Sequence, residues 1–143
     1  MLRVRSEMAA SSRSAWLLYK NNLVTVTAIL SVLNGLAYLL FPGFIGGVFG
    51  TTPDGYGLHI TRYYGASALG YGTLLWLVRK SDSTEGSQAV LISILILLGI
   101  SVVIGVVGVI YRITNQFGLL FVFTDLILSI WSFFLLATRP RSE

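Results

Sequence analysis

The chain has 143 residues, 55% of them hydrophobic and only 11% charged, with a mean hydropathy of +0.79. A soluble domain carries about 25% charged residues, so this chain cannot cover a globule with a water-compatible surface, and lipid must be the solvent for much of it. With no cysteine and a single histidine, disulfides, thiolate metal sites, cysteine nucleophiles and any multi-histidine metal or haem site within the chain are excluded.

The net charge is +4 and the pI about 9.7. The basic residues sit beside apolar spans, as in a membrane protein, and form no stripe interleaved with aromatics that would bind nucleic acid. Residues 1–22 carry Arg3, Arg5, Arg13 and Lys20. This basic, weakly amphipathic segment is expected on the cytoplasmic side, either lying on anionic lipid or as a free tail. The first apolar span is not expected to be a secretory leader, because it is too long and no small-residue cleavage site follows it.

A spanning helix needs about 20 apolar residues at a rise of about 1.5 Å each. Four segments qualify: 23–41, 61–78, 88–111 and 117–137. The sequence therefore predicts an all-α integral membrane domain over 23–137, a compact antiparallel bundle of four transmembrane helices, with a tail over 138–143. Between the first two spans, Pro42, Gly43, Gly46, Gly47 and Gly50 suit a loop or a short re-entrant segment. Residues 112–116 make a tight turn, so the last two spans form a hairpin.

Lysine and arginine placement sets the orientation. Arg3, Arg5, Arg13, Lys20, Arg79, Lys80, Arg139 and Arg141 fall on one side of a chain that crosses four times, and only Arg62 and Arg112 on the other. Both termini are thus expected in the cytoplasm. Trp16, Tyr19 and Trp76 fit an interfacial aromatic belt.

Helices in lipid associate through small residues and occasional hydrogen bonds, so stripes of such residues should mark the interior. The first span offers Thr27, Ser31, Asn34 and Tyr38. The second offers Arg62, Ala66, Gly70 and Thr73, with Ala68 and Gly72 as another pair. The third offers Ser101, Gly105, Gly108 and Arg112, and the fourth Gly118, Asp125, Ser129 and Ser132. Asp125 lies about 12 Å down the fourth helix at about 1.5 Å per residue. A carboxylate at that depth is expected to face the interior and find a partner. Asn34 and Tyr71 lie at matching depth, and Arg112 is the expected counter-charge because its side chain leans towards Asp125. A neutral, protonated carboxyl is the alternative to pairing. The expected polar cluster is therefore Asn34, Arg62, Tyr71, Arg112 and Asp125. It serves either to fix helix register or to titrate or bind a ligand. Around the mouth stand Tyr56, His59, Arg62, Tyr63, Tyr64, Arg112, Asn115 and Gln116, which fit an interfacial girdle or the rim of a site for a quinone, lipid or sterol head group or carboxylate.

No serine–histidine–acid arrangement, paired catalytic carboxylates or metal-ligand spacing is present. The segment HITRYYGASALGYGTLLWLVRK resembles the entry to the second helix of the DoxX-like group of small four-helix bacterial membrane proteins and related uncharacterised families. Arg62, Gly65 and Gly70 are the corresponding positions. The resemblance implies a bacterial inner-membrane location and a link to quinone-dependent redox chemistry, although the chain has no cysteine for sulfur chemistry. Three functions follow as expectations. The leading one is a non-enzymatic accessory or scaffold subunit, associating with membrane lipids, other membrane proteins or copies of itself. The others are a membrane-embedded protein binding a quinone or lipid, and a small proton-coupled transporter using Asp125.

Overall fold

The computed structural model describes the backbone of residues 2–81 and 83–139, and the side chains of residues 11–81, 83 and 85–139. The expected roles of Arg3, Arg5 and Arg141 as cytoplasmic charges lie outside the described side chains. Among the described residues the chain is all-helical: α1 Leu2–Leu40, α2 Pro42–Val48, α3 Gly55–Val78, α4 Thr84–Ile110 and α5 Gly118–Ala137. Three stretches are long and apolar enough to cross a membrane, namely Ser11–Leu40 in α1, Glu85–Ile110 in α4, and α5. The expected second span, 61–78, lies within α3, which is long enough but not among the three. Its arginine, tyrosines and glycines lower its apolarity.

Local chemistry sets the element ends. No glycine or proline precedes Gly35, so α1 runs without a break from the segment 1–22 into the apolar stretch. It ends where Pro42, which has no N–H to donate, starts α2 at its first position. The glycine-rich stretch is thus a short helix. Asp54 caps α3, its Oδ1 accepting from Gly57 N at 2.7 Å, and Ser83 caps α4 by accepting from Gly86 N at 3.2 Å. The last turns of α2 and α4 close alike. Gly50 (φ +73°) and Arg112 (φ 56°) adopt left-handed conformations. The following residues, Thr51 and Ile113, donate back to Gly46 O at 2.9 Å and Gly108 O at 2.8 Å, which is the Schellman closure.

The long helices form two antiparallel hairpins. Helix α1 packs extensively on α3, and α4 on α5; α1 also meets α4 and α5. Helix α3 therefore sits at the periphery, reaching α4 through the Tyr71 hydroxyl and Ser93 Oγ at 3.1 Å. Leu23, Val24, Ala28, Leu75, Leu91, Ile94, Leu98, Leu128 and Leu135 make the buried core. Large apolar side chains also cover the outside, including Leu77 (74% exposed) and Ile110 (68%). Such a surface suits hydrocarbon, not water.

Helices α1 and α3 approach backbone to backbone. A Cβ added at Gly35 would lie 2.6 Å from Leu69 N, one at Gly65 2.7 Å from Leu39 N, and one at Gly72 2.8 Å from Val32 N. The two backbones touch because these positions have no side chain. The expected inward stripe of α3 is corrected accordingly. Arg62, Ala66, Gly70 and Thr73 are exposed, whereas Gly65, Gly72 and Leu75 are buried. Both sets fit a helical face, and only the approach of α1 distinguishes them. On α5, the expected stripe does turn inward at Gly118, Ser129 and Ser132, which are buried. Ser132 Oγ donates to Leu91 O at 2.7 Å, joining α5 to α4.

One end of the molecule, here termed proximal, is tied by polar contacts. Lys20, 1% exposed, donates to Ser81 O and to Ser87 Oγ at 3.2 Å. Trp16 Nε1 donates to Leu135 O at 2.9 Å, and Arg139 donates to Gln88 Oε1. The opposite, distal end holds α2 and the α4–α5 turn.

Candidate functional site at the distal end

Asn115 joins the two hairpins at this end. Its backbone N–H donates to Phe49 O at 3.0 Å, its Nδ2 to Val48 O at 2.8 Å, and its Oδ1 accepts from Phe117 N at 3.0 Å. It thereby caps the exposed carbonyls at the end of α2 and orders its own turn. The Phe49 and Phe121 rings meet with centroids 5.1 Å apart, so α2 also rests on α5 through aromatic packing.

Beneath α2 lies a cavity of about 210 Å³. Tyr38 of α1 and Pro42, Ile45, Gly46 and Phe49 of α2 and its end line it on one side. Thr51, Pro53, Thr61 and Thr114 complete the wall. The hydroxyls of Thr51 and Thr61 donate to Gly46 O (3.1 Å) and Gly57 O (2.7 Å), so towards a ligand these oxygens act as acceptors. Among the described residues, no lysine, arginine or histidine lines the cavity.

Tyr38 also belongs to a second group. Its ring meets that of Tyr64 on α3 edge-on, with centroids 5.1 Å apart, and both tyrosines are within electrostatic range of the Asp125 carboxylate on α5. Asp125 is half-buried. Among the described residues it has neither a hydrogen bond nor an ion pair.

The five residues of the expected cluster are not brought together as a set. Asn34 is half-buried on α1, one turn from Tyr38. Tyr71 is engaged with Ser93. Arg62 is exposed on α3. Arg112 is not the counter-charge of Asp125: α4 ends at Ile110, and the left-handed backbone at Arg112 carries it off the helix face into solvent. Tyr38 and Tyr64, packed edge-on against each other, are instead the side chains within electrostatic range of Asp125. The spacing by four from Asn34 to Tyr38 pointed to the first, and the second stood in the expected aromatic rim. Nothing in the sequence marked Phe49, Thr51, Thr61 or Thr114 as partners in a cavity, since they converge only once α2 folds over α1.

The position of Arg112 leads to a prediction. A left-handed residue bearing a Cβ costs about 1–2 kcal/mol, and the exposed guanidinium returns little. Arg112→Gly should therefore raise stability by about 1 kcal/mol, read as a higher unfolding temperature in detergent. An ion pair with Asp125 would demand a loss instead.

Residues 25–140 match the model of a family described as a domain of unknown function (DUF8292). No curated protein and no solved structure matches the chain.

Proposed function

The chain belongs to the DUF8292 family, and we propose that it is a non-enzymatic integral membrane protein acting as an accessory or scaffold subunit that packs against other membrane proteins through α3. In this reading α1, α3, α4 and α5 all cross the bilayer as a four-helix domain, and the proximal end is cytoplasmic. The bias of lysine and arginine towards that end supports the orientation.

One observation carries the proposal. The spanning helix with the weakest apolar character is also the peripheral one, and it turns Ala66, Gly70 and Thr73 outward. A Cβ placed at Gly70 would meet nothing within 4 Å. Lipid tails gain little from such a stripe, whereas a second helix can approach closely along it. The hydroxyls of Ser67 and Thr73 are already spent on Tyr63 O (3.0 Å) and Leu69 O (2.8 Å) of the same helix. Association would therefore rest on close packing rather than on new hydrogen bonds.

The absence of cysteine makes the test clean. Gly70→Cys and Ala66→Cys should give oxidative or bifunctional cross-links of higher mass in native membranes, while Ile127→Cys on the exposed face of α5 should not. Gly70→Leu should reduce the assembly mass after mild extraction. Cross-linking absent at both α3 positions, together with an assembly mass unchanged by Gly70→Leu, would refute the proposal.

A further inference from the structure

We infer that the distal cavity beneath α2 is a binding site for a small neutral alcohol, a molecule with a compact apolar body and one hydroxyl. The inference does not rest on the scaffold reading, which uses the outward face of α3 and no residue of the cavity wall.

The walls are built to keep the space open. Protein interiors hold few voids larger than a water molecule, yet this one measures about 210 Å³. Gly46 packs against Pro53, since a Cβ there would lie 2.7 Å from the proline ring. Thr51 Oγ1 donates to Gly46 O at 3.1 Å. Asn115, which does not line the cavity, holds the carbonyls of Val48 and Phe49. The end of α2 is thus pinned as a roof and does not settle into the space beneath it.

The lining selects the ligand. Pro42, Ile45, Phe49 and Pro53 give it apolar surface, which offers a water no hydrogen bond but rewards an apolar body. The polar part is small and two-sided. The hydroxyl hydrogens of Thr51 and Thr61 are spent on Gly46 O and Gly57 O, so these oxygens present acceptors. The hydroxyl of Thr114, also in the lining, has no hydrogen bond among the described residues, so it is available to donate. A ligand hydroxyl both donates and accepts, and so suits both kinds of wall group. An ion does not: among the described residues no acidic or basic side chain lines the cavity, and an unpaired buried charge costs far more than a hydroxyl.

Size agrees. An apolar cavity of about 150 Å³ takes benzene, so about 210 Å³ takes a six-membered ring carrying one hydroxyl.

The chain has no cysteine, so one introduced thiol can report occupancy. Ile45→Cys places it in the cavity wall. Gly70→Cys, on the outward face of α3, controls for effects on detergent or reagent. The full chain, purified in mild detergent, is labelled with a maleimide at rising concentrations of cyclohexanol, cyclohexylammonium or cyclohexanecarboxylate. Cyclohexanol should slow the labelling of Ile45→Cys saturably and leave Gly70→Cys unchanged. The two charged analogues should give no saturable protection at the same concentrations. Adding Thr114→Val should raise the half-protecting concentration at least about fivefold, the effect of one neutral hydrogen bond, whereas Thr114→Ser should not. Matching elution and unfolding temperature are the folding control. Should Ile45→Cys fail it, Thr51→Cys reports from another part of the wall; should Thr114→Val fail it, Thr61→Val, which removes an acceptor, takes its place. No selective protection by cyclohexanol, equal protection by a charged analogue, or an unchanged half-protecting concentration in a folded Thr114→Val protein would overturn the inference.

Discussion

Gly65→Ala should destabilise the protein by about 3 kcal/mol, the upper part of the range for overpacking a tight interior, while Gly70→Ala on the same helix should be neutral or stabilising. The contrast isolates packing from propensity. Both substitutions gain up to about 1 kcal/mol of helix propensity. Only at Gly65 does the added carbon meet main-chain atoms, at 2.7 Å from Leu39 N and 2.9 Å from Gly35 O. A side chain could rotate away, but a helix backbone cannot without moving the whole helix. Relief therefore requires α1 and α3 to separate along their length, which also loosens the contacts at Gly35 and Gly72. The measurement is the unfolding midpoint in mixed detergent, with Gly35→Ala as a replicate from the facing helix. Equal midpoints for Gly65→Ala and Gly70→Ala would mean that the α1–α3 contact is not the close one described.

Lys20→Met should cost about 2–3 kcal/mol, although the substitution replaces a charged side chain with an apolar one of similar length in a mostly apolar protein. On hydropathy alone a gain would be expected. Lys20 is 1% exposed and donates to Ser81 O and Ser87 Oγ. Removing the ammonium takes the charged donor from both oxygens and leaves Ser81 O only the weaker bond that Ser87 Oγ donates at 3.3 Å. Losing hydrogen bonds from a charged donor costs about 1.5–3 kcal/mol. Lys20→Arg should not rescue it fully, since the wider guanidinium must enter space shaped for one ammonium. Protease sensitivity at the α3–α4 connection should rise in Lys20→Met, because Lys20 anchors that connection to α1. A Lys20→Met protein as stable and as resistant as the parent would remove this anchor from the account.

Lys20 also affects how the charge pattern is read. As a sequence feature it is one of eight basic residues favouring one side. In the folded molecule it is a structural cross-link, and the bias at the proximal end rests on the others, such as the exposed Arg13 and Arg139. Without Lys20, seven basic residues against two still favour the same side.

By itself the sequence determined that the chain is helical, that long apolar segments dominate it, where the α4–α5 turn falls, and that α5 turns Gly118, Ser129 and Ser132 inward. These follow from segment length, apolar runs and the side-chain direction of a single helix. Tertiary structure alone decided which face of α3 is internal. Arg62, Ala66, Gly70 and Thr73 form as good a stripe as Gly65 and Gly72, and only the backbone approach of α1 separates them. It also decided that Arg112 is itself the left-handed closing residue of α4 and leaves the helix face, so that it does not pair with Asp125. The cavity was beyond reach for the same reason. Its threonines and aromatics lie on separate elements that converge only where Pro42 ends α1 and folds α2 across it.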